Sequence, residues 1–242
     1  MARVKPIYSN TFTKRRKVAV VALIVCVIVA LAGGIAWLQL RNPRPNARNY
    51  PVLGLRISQS DGSQDYTSLH KQGVDFVYLK ATEGASYFDD NFETNYSQAS
   101  GAGMRLGVYH YFSFTSAPAK QAASFMEHVG ENTGDLPIGI EVAAYTKVPD
   151  DAKLRQQLTT FIADLRQHYT QQILLIGTPD MLSKVQTVSP DAPRMVVSDK
   201  QRAGKQGTFW QYASDAKLPG GKTRYHCVVL VGTKAAFQQL GN

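Results

Sequence analysis

From Val18 to Leu40 the chain carries no charged side chain, and Lys14, Arg15, Arg16 and Lys17 stand directly before that run. Its 23 residues, coiled as a helix, are long enough to cross a hydrocarbon layer of about 30 Å. A buried core helix would not follow a four-residue basic cluster. The segment is therefore read as a membrane span or a signal sequence. Basic residues on a short flank tend to stay in the cytoplasm. Residues 1–17 are expected to form a cytoplasmic tail and 18–40 a single-pass anchor in the cell membrane, leaving everything after them extracytoplasmic. Trp37 sits where an interfacial aromatic belongs. Ala30-Leu31-Ala32 resembles a small-residue cleavage site, but the apolar run continues past it, which favours an anchor over a cleaved leader. Both readings export the rest of the chain.

Charge divides in the same way. No Asp or Glu occurs before Asp61, and the nine Lys and Arg residues before residue 49 account for the whole net charge of +9. Residues 49–242 are formally neutral, so no nucleic-acid partner is expected. Residues 41–51 (RNPRPNARNYP) lack apolar periodicity and read as a linker. Cys26 falls inside the apolar run and Cys227 near the C-terminus, so the exported part has to fold without a disulfide. His70, His110, His128, His168 and His226 are scattered, with no metal-ligand spacing. No metal and no cofactor are expected.

After Pro51 short apolar runs alternate with helical stretches. The strand-like runs are 52–57, 74–81, 104–112, 136–143, 172–177 and 194–198. Between them, helical patterns cover roughly 64–72, 91–102, 117–130, 150–169 and 179–186. Leu154, Leu158, Phe161, Ile162 and Leu165 recur at helical spacing behind Asp150 and Asp151, which suit a helix N-terminus. Such alternation predicts an α/β fold with a largely parallel sheet, open or closed into a barrel. The last two runs, GTFWQYAS and YHCVVLVG, have no long helix between them and predict an antiparallel closure. Barrels of this kind carry chemistry at the C-terminal strand ends. The residues to examine are therefore Arg56, Lys80–Glu83, His110–Phe114, Glu141–Ala143 and the loop after Trp210. Asp61-Gly62 and Gly220-Gly221 read as turns only.

Those strand ends resemble a known family. FVYLKATEG (76–84), Asp89, Phe92 and GVYHYF (107–112) follow the order of central motifs in family-25 glycoside hydrolases, the lysozymes (N-acetylmuramidases) of phages and bacteria. Gln121-Ala122, Phe125, Leu136-Pro137 and Phe209-Trp210-Gln211-Tyr212 continue it. The resemblance spans nearly all of 52–242 and implies an irregular barrel of mostly parallel strands closed by antiparallel ones, preceded here by a single transmembrane helix. It also implies cell-wall glycan, peptidoglycan above all, as the ligand.

The family's acids carry over poorly. Its first strand reads Gly-Ile-Asp-Val-Ser with a Trp close behind; here Gly54-Leu55-Arg56-Ile57-Ser58 stands there, with Ser60 in the Trp position. Its fourth strand ends Asp-x-Glu, the Glu being the proton donor; here Glu141-Val142-Ala143 ends it. A C-terminal Asp aligns with the apolar Val228–Val231, best at Val229. Of four expected carboxylates only Glu141 has a counterpart, and Arg56 is expected beside it, from an adjoining strand end. A guanidinium there makes Glu141 a poorer acid and repels an oxocarbenium-like transition state.

The implied function is a degenerate, non-catalytic lysozyme-like domain that binds cell-wall glycan or an envelope protein. Two rivals are an active muramidase pairing Glu141 with Glu83 or Asp89, and a protein-interaction scaffold with a closed cleft. Tyr109, Tyr111, Phe112, Phe114, Trp210 and Tyr212 are candidates for sugar contact, divided between cleft and core by strand alternation. An open groove with exposed Trp210 and Tyr109 would favour glycan; a plugged one would favour protein. His110 is expected to be a hydrogen-bonded structural residue.

Overall fold

The computed structural model describes residues 9–40, 44–218, 221 and 223–241. Arg3, Lys5, Arg41 and Gly220 lie outside the described residues, as does the side chain of Trp37. The chain forms two compact units, residues 1–43 and 44–242.

The described residues of the first unit form a single helix, α1 (Ser9–Leu40). Its segment Lys14–Gly34 has a mean hydropathy of 2.6 and is long and apolar enough to cross a membrane. Val18, Leu23, Val29 and Leu31 are all exposed around it. A helix apolar on every face has no water-facing side, which suits a lipid surround.

The second unit begins at Arg44, inside the stretch read as a linker. Tyr50 is buried, its ring set edge-on to Trp210. Nine strands follow: β1 (Leu53–Ile57), β2 (Phe76–Glu83), β3 (Tyr87–Phe88), β4 (Arg105–Tyr111), β5 (Ile138–Glu141), β6 (Ile173–Gly177), β7 (Arg194–Val197), β8 (Phe209–Lys217) and β9 (Arg224–Leu230). Eight of them close into a ring in the order β1-β9-β8-β7-β6-β5-β4-β2, and β1 pairs back onto β2. All pairings from β1 through β2 and β4 to β8 are parallel, while β9 is antiparallel to both neighbours. The short β3 hairpins onto β2.

Helices α2 (Tyr66–Lys71), α3 (Phe92–Gly101), α4 (Pro118–Val129), α5 (Asp151–His168), α6 (Pro179–Lys184), α7 (Gln201–Gly204) and α8 (Lys234–Gln238) complete the unit. In α5 the five apolar residues at helical spacing are all buried, and Asp150 caps the first turn by accepting from Lys153 N at 2.9 Å. Burial of each such side chain contributes roughly 1.5–3 kcal/mol before entropy is counted.

Two apolar layers result. Residues pointing out of the barrel pack against the helices, and those pointing inward, including Phe76, Tyr78, Ile176, Met195, Phe209 and Val228, fill its lumen. The lumen holds large rings because glycines face them. A Cβ on Gly54 would lie 2.2 Å from the Phe76 ring, and one on Gly107 would lie 2.3 Å from Tyr78. The barrel is therefore plugged below, and only its C-terminal mouth stays open.

Candidate functional site

Inward alternation lifts Arg56 on β1, Lys80 on β2, Tyr109 and Tyr111 on β4, and Glu141 on β5 to the mouth of the barrel. A register shift between Lys80 and Thr82 breaks the alternation on β2. The bulge turns Glu83 into the mouth and sends Thr82 outward. These residues line a cavity of about 340 Å3 with Ser58, Ser60 and Asp61 after β1, Tyr145 after β5 and His226 on β9.

Arg56 forms its floor. The guanidinium is 4% exposed and pairs with Glu141 through Nη2 and Oε2. Its Nη1 donates to Gln211 Oε1 at 2.8 Å, and its Cζ lies 4.4 Å from the centroid of the Tyr109 ring. Strands β1 and β5 are not adjoining, as the sequence suggested; β2 and β4 stand between them, and Arg56 spans the mouth to reach Glu141. Burial is the largest influence and penalises the Arg56 charge, but the Glu141 carboxylate and the Tyr109 ring together outweigh it and raise the Arg56 pKa. Gln211 Nε2 in turn donates to Ser214 Oγ and to Nδ1 of His226, both at 3.1 Å. Burial, then the neighbouring Arg56 charge, lowers the His226 pKa.

The other carboxylates are engaged as well. Glu83 accepts from Lys80 Nζ at 2.6 Å. Asp61 Oδ2 accepts from Ser58 N at 2.9 Å and closes the turn after β1. Asp89, weighed as a catalytic partner, does not line the cavity. It is buried, and its oxygens accept from Gln59 N at 2.7 Å and Asn91 N at 3.1 Å, which makes it a tie between two loops.

Several expected positions need correction. Val229 does not face the mouth: β9 runs antiparallel, so its cavity end is its beginning, and alternation turns Val229 outward into the helix-facing layer. His226, the register partner of Arg56, is the β9 residue in the cavity. Phe114, Trp210 and Tyr212 are buried in that outer layer and line no part of the cavity. Phe209 and Gln211 take the inward phase of β8, so Trp210 points away and donates from Nε1 to Ser198 O at 2.7 Å. Ala143 lies beyond the end of β5, half-buried, its carbonyl accepting from the Tyr111 hydroxyl at 3.1 Å. The groove is thus open but walled by Tyr109, Tyr111 and Tyr145, with Tyr109 itself nearly covered by Arg56. Sequence reasoning missed Asp61, Tyr145, His226 and Gln211 as members of the site.

His110 is structural. It is fully buried, with Nδ1 accepting from Thr82 Oγ1 at 2.8 Å and Nε2 donating to Gln121 Oε1 at 3.0 Å. Burial lowers its pKa from 6.5 to about 4. On acidification the unfolded chain takes the proton first, so stability is full above pH 6.5 and falls between 6.5 and 4. By pH 4.5 the loss is about 2–3 kcal/mol. Urea unfolding of the full chain in detergent should show this slope, and His110→Gln should flatten it. An unchanged slope in the variant would remove His110 as its source.

Among the described residues no cluster of His, Cys, Asp and Glu is arranged to hold a metal ion. What the mouth offers is a polar, aromatic-walled recess holding three carboxylates and two cations.

Comparison with known proteins places the site in context. Residues 56–221 match the family described as "Glycosyl hydrolases family 25". The autolytic lysozyme of Clostridium acetobutylicum is 34% identical over 91 residues, 38% of this chain and 28% of that protein. Lysozyme M1 of Streptomyces globisporus is 43% identical over 60 residues, 25% of this chain and 20% of that protein. The matched stretches therefore span under a third of either relative. Among solved structures, a family 25 glycosyl hydrolase from Bacillus anthracis superposes with a TM-score of 0.74 at 27% identity, covering 82% of this chain and 97% of that one.

Proposed function

Because this chain belongs to glycosyl hydrolase family 25, we propose that it is a membrane-tethered, extracytoplasmic lysozyme-like domain. Its cleft holds peptidoglycan glycan and does not cleave it. The Arg56–Glu141 pair carries this reading. Glycoside cleavage by two carboxyl groups needs one that is protonated and a second negative group beside the anomeric carbon. Here the floor of the cleft holds a permanently charged guanidinium, which repels developing positive charge and occupies Glu141 in an ion pair. No carboxyl group stands at position 143 to replace it.

Binding needs less. A recess of about 340 Å3 is within the range of small-ligand sites. Its charged and hydroxyl groups can exchange hydrogen bonds with sugar hydroxyls and amides. The basic run at Lys14–Lys17 before the apolar helix supports the outward orientation.

One observation favours an active enzyme instead: Asp61 and Glu83 share the cavity with Glu141. A single experiment separates the two readings. Full-length protein in detergent is incubated with purified peptidoglycan sacculi, and co-sedimentation and new reducing ends are both scored. The expected result is retention on sacculi with no release of reducing ends. Cleavage that disappears in Glu141→Gln or Glu83→Gln would establish the enzyme and overturn the binding reading.

A further inference from the structure

We propose that Tyr145, backed by the buried Tyr111 ring, forms an aromatic subsite at the rim of the cleft that stacks against the apolar face of a pyranose ring in the glycan chain. This rests on the glycan-binding reading above and names the residue that selects the sugar. Among the described residues of the barrel unit, Tyr145 is the one large hydrophobic side chain that stands exposed, at 82%. It lies in the loop just beyond β5 and lines the same cavity as Glu141 and Tyr111.

Its placement is specified by the backbone. The Ala143 carbonyl accepts from the Tyr111 hydroxyl at 3.1 Å and from Tyr145 N at 3.2 Å, so both tyrosines are indexed to one oxygen. Their ring centroids are 5.2 Å apart with planes inclined at 45°, an open angle rather than a closed stack. The Tyr111 ring is held by its hydroxyl, whereas Tyr145 presents its surface to solvent. An aromatic ring left in water forgoes the gain of burial, and a ligand face that covers it recovers that gain.

A pyranose with equatorial substituents suits this geometry. One face carries axial C–H groups and packs on an aromatic ring, while its edge carries hydroxyl or amide groups. The cavity sets Glu83, Lys80 and Glu141 next to the two rings to meet that edge. A purely apolar ligand would strip water from those ion pairs and return no hydrogen bond to their remaining lone pairs and protons.

The test uses full-length protein in detergent with two probes, a soluble tetramer of N-acetylglucosamine and insoluble peptidoglycan sacculi. Tyr145→Ala is expected to weaken binding of the tetramer about tenfold and to reduce retention on sacculi. Tyr145→Phe, which keeps the ring, should stay within about twofold of the native chain. Tyr145→Trp should bind and report the tetramer by a change in indole fluorescence. Because residue 145 is exposed, the unfolding midpoint should be unchanged in all three variants. Native binding that survives Tyr145→Ala undiminished would overturn the subsite while leaving the glycan reading intact. Absence of native binding to both probes would overturn the two together.

Discussion

Replacing Glu141 with alanine is expected to destabilise the barrel by about 3–5 kcal/mol, and to lower its melting temperature by roughly 6–20 °C. The cost arises on the other partner. Arg56 is 4% exposed, and without Glu141 its charge retains only Gln211 and the face of Tyr109. A guanidinium cannot shed its proton to escape burial, and Arg56 Nε already lacks a hydrogen-bond partner. The reverse substitution, Arg56→Ala, should cost less through charge, because the Glu141 side chain is 15% exposed and opens onto the cavity. Its main loss is packing on Tyr109. Arg56→Met combined with Glu141→Leu removes both charges and should recover most of the stability, since apolar groups of similar volume commonly replace a buried pair without loss. Denaturant unfolding followed through the buried Trp210 measures all four chains. Equal stability of Glu141→Ala and the native protein would mean that the pair is solvated and does not organise the floor.

Some of this site was legible before any coordinates, and the reason is periodicity. Strand–helix alternation fixes which residues finish a parallel strand, and in a barrel all such ends meet at one mouth. Arg56 and Glu141 were therefore both legible as mouth residues although 85 positions separate them, and the resemblance to family 25 set them side by side. What was not legible lies where periodicity lapses. Asp61 belongs to a 3-10 turn and Tyr145 to a loop, whereas Glu83, already named from its strand end, reaches the cavity through a bulge that shifts the phase of β2. The phase of β8 misled for a related reason. Trp210 and Tyr212 look like sugar platforms by composition, yet the inward set on that strand is Phe209 and Gln211. Reversing the direction of β9 put His226, not Val229, beside Arg56. Residue type pointed to the chemistry; local backbone irregularity decided which residues deliver it.

Cleavage should appear when both departures at the mouth are reversed together. Arg56→Asp with Ala143→Glu is expected to release reducing ends from peptidoglycan at least a hundredfold above the native chain, within the range a positioned general acid contributes. Neither change should suffice alone. With Arg56→Asp the floor is negative but no proton donor stands beyond β5. With Ala143→Glu the new carboxyl faces an intact guanidinium that holds it ionised and so withholds its proton. Together, the introduced Asp and Glu141 supply negative charge, while the carboxyl at position 143, where the backbone carbonyl accepts from the Tyr111 hydroxyl, supplies the proton donor. Asp61 and Glu83 already line the cavity and can stand in for the acid that β9 lacks. The gain is thus strongly non-additive, the mark of groups acting as one unit. Ala143→Gln in the Arg56→Asp background should abolish it, and the active double variant should show a bell-shaped pH profile. If the double variant binds sacculi and cleaves no faster than the native chain, the guanidinium and the missing carboxyl are not what silences this cleft, and the remaining difference at β9 becomes the place to look.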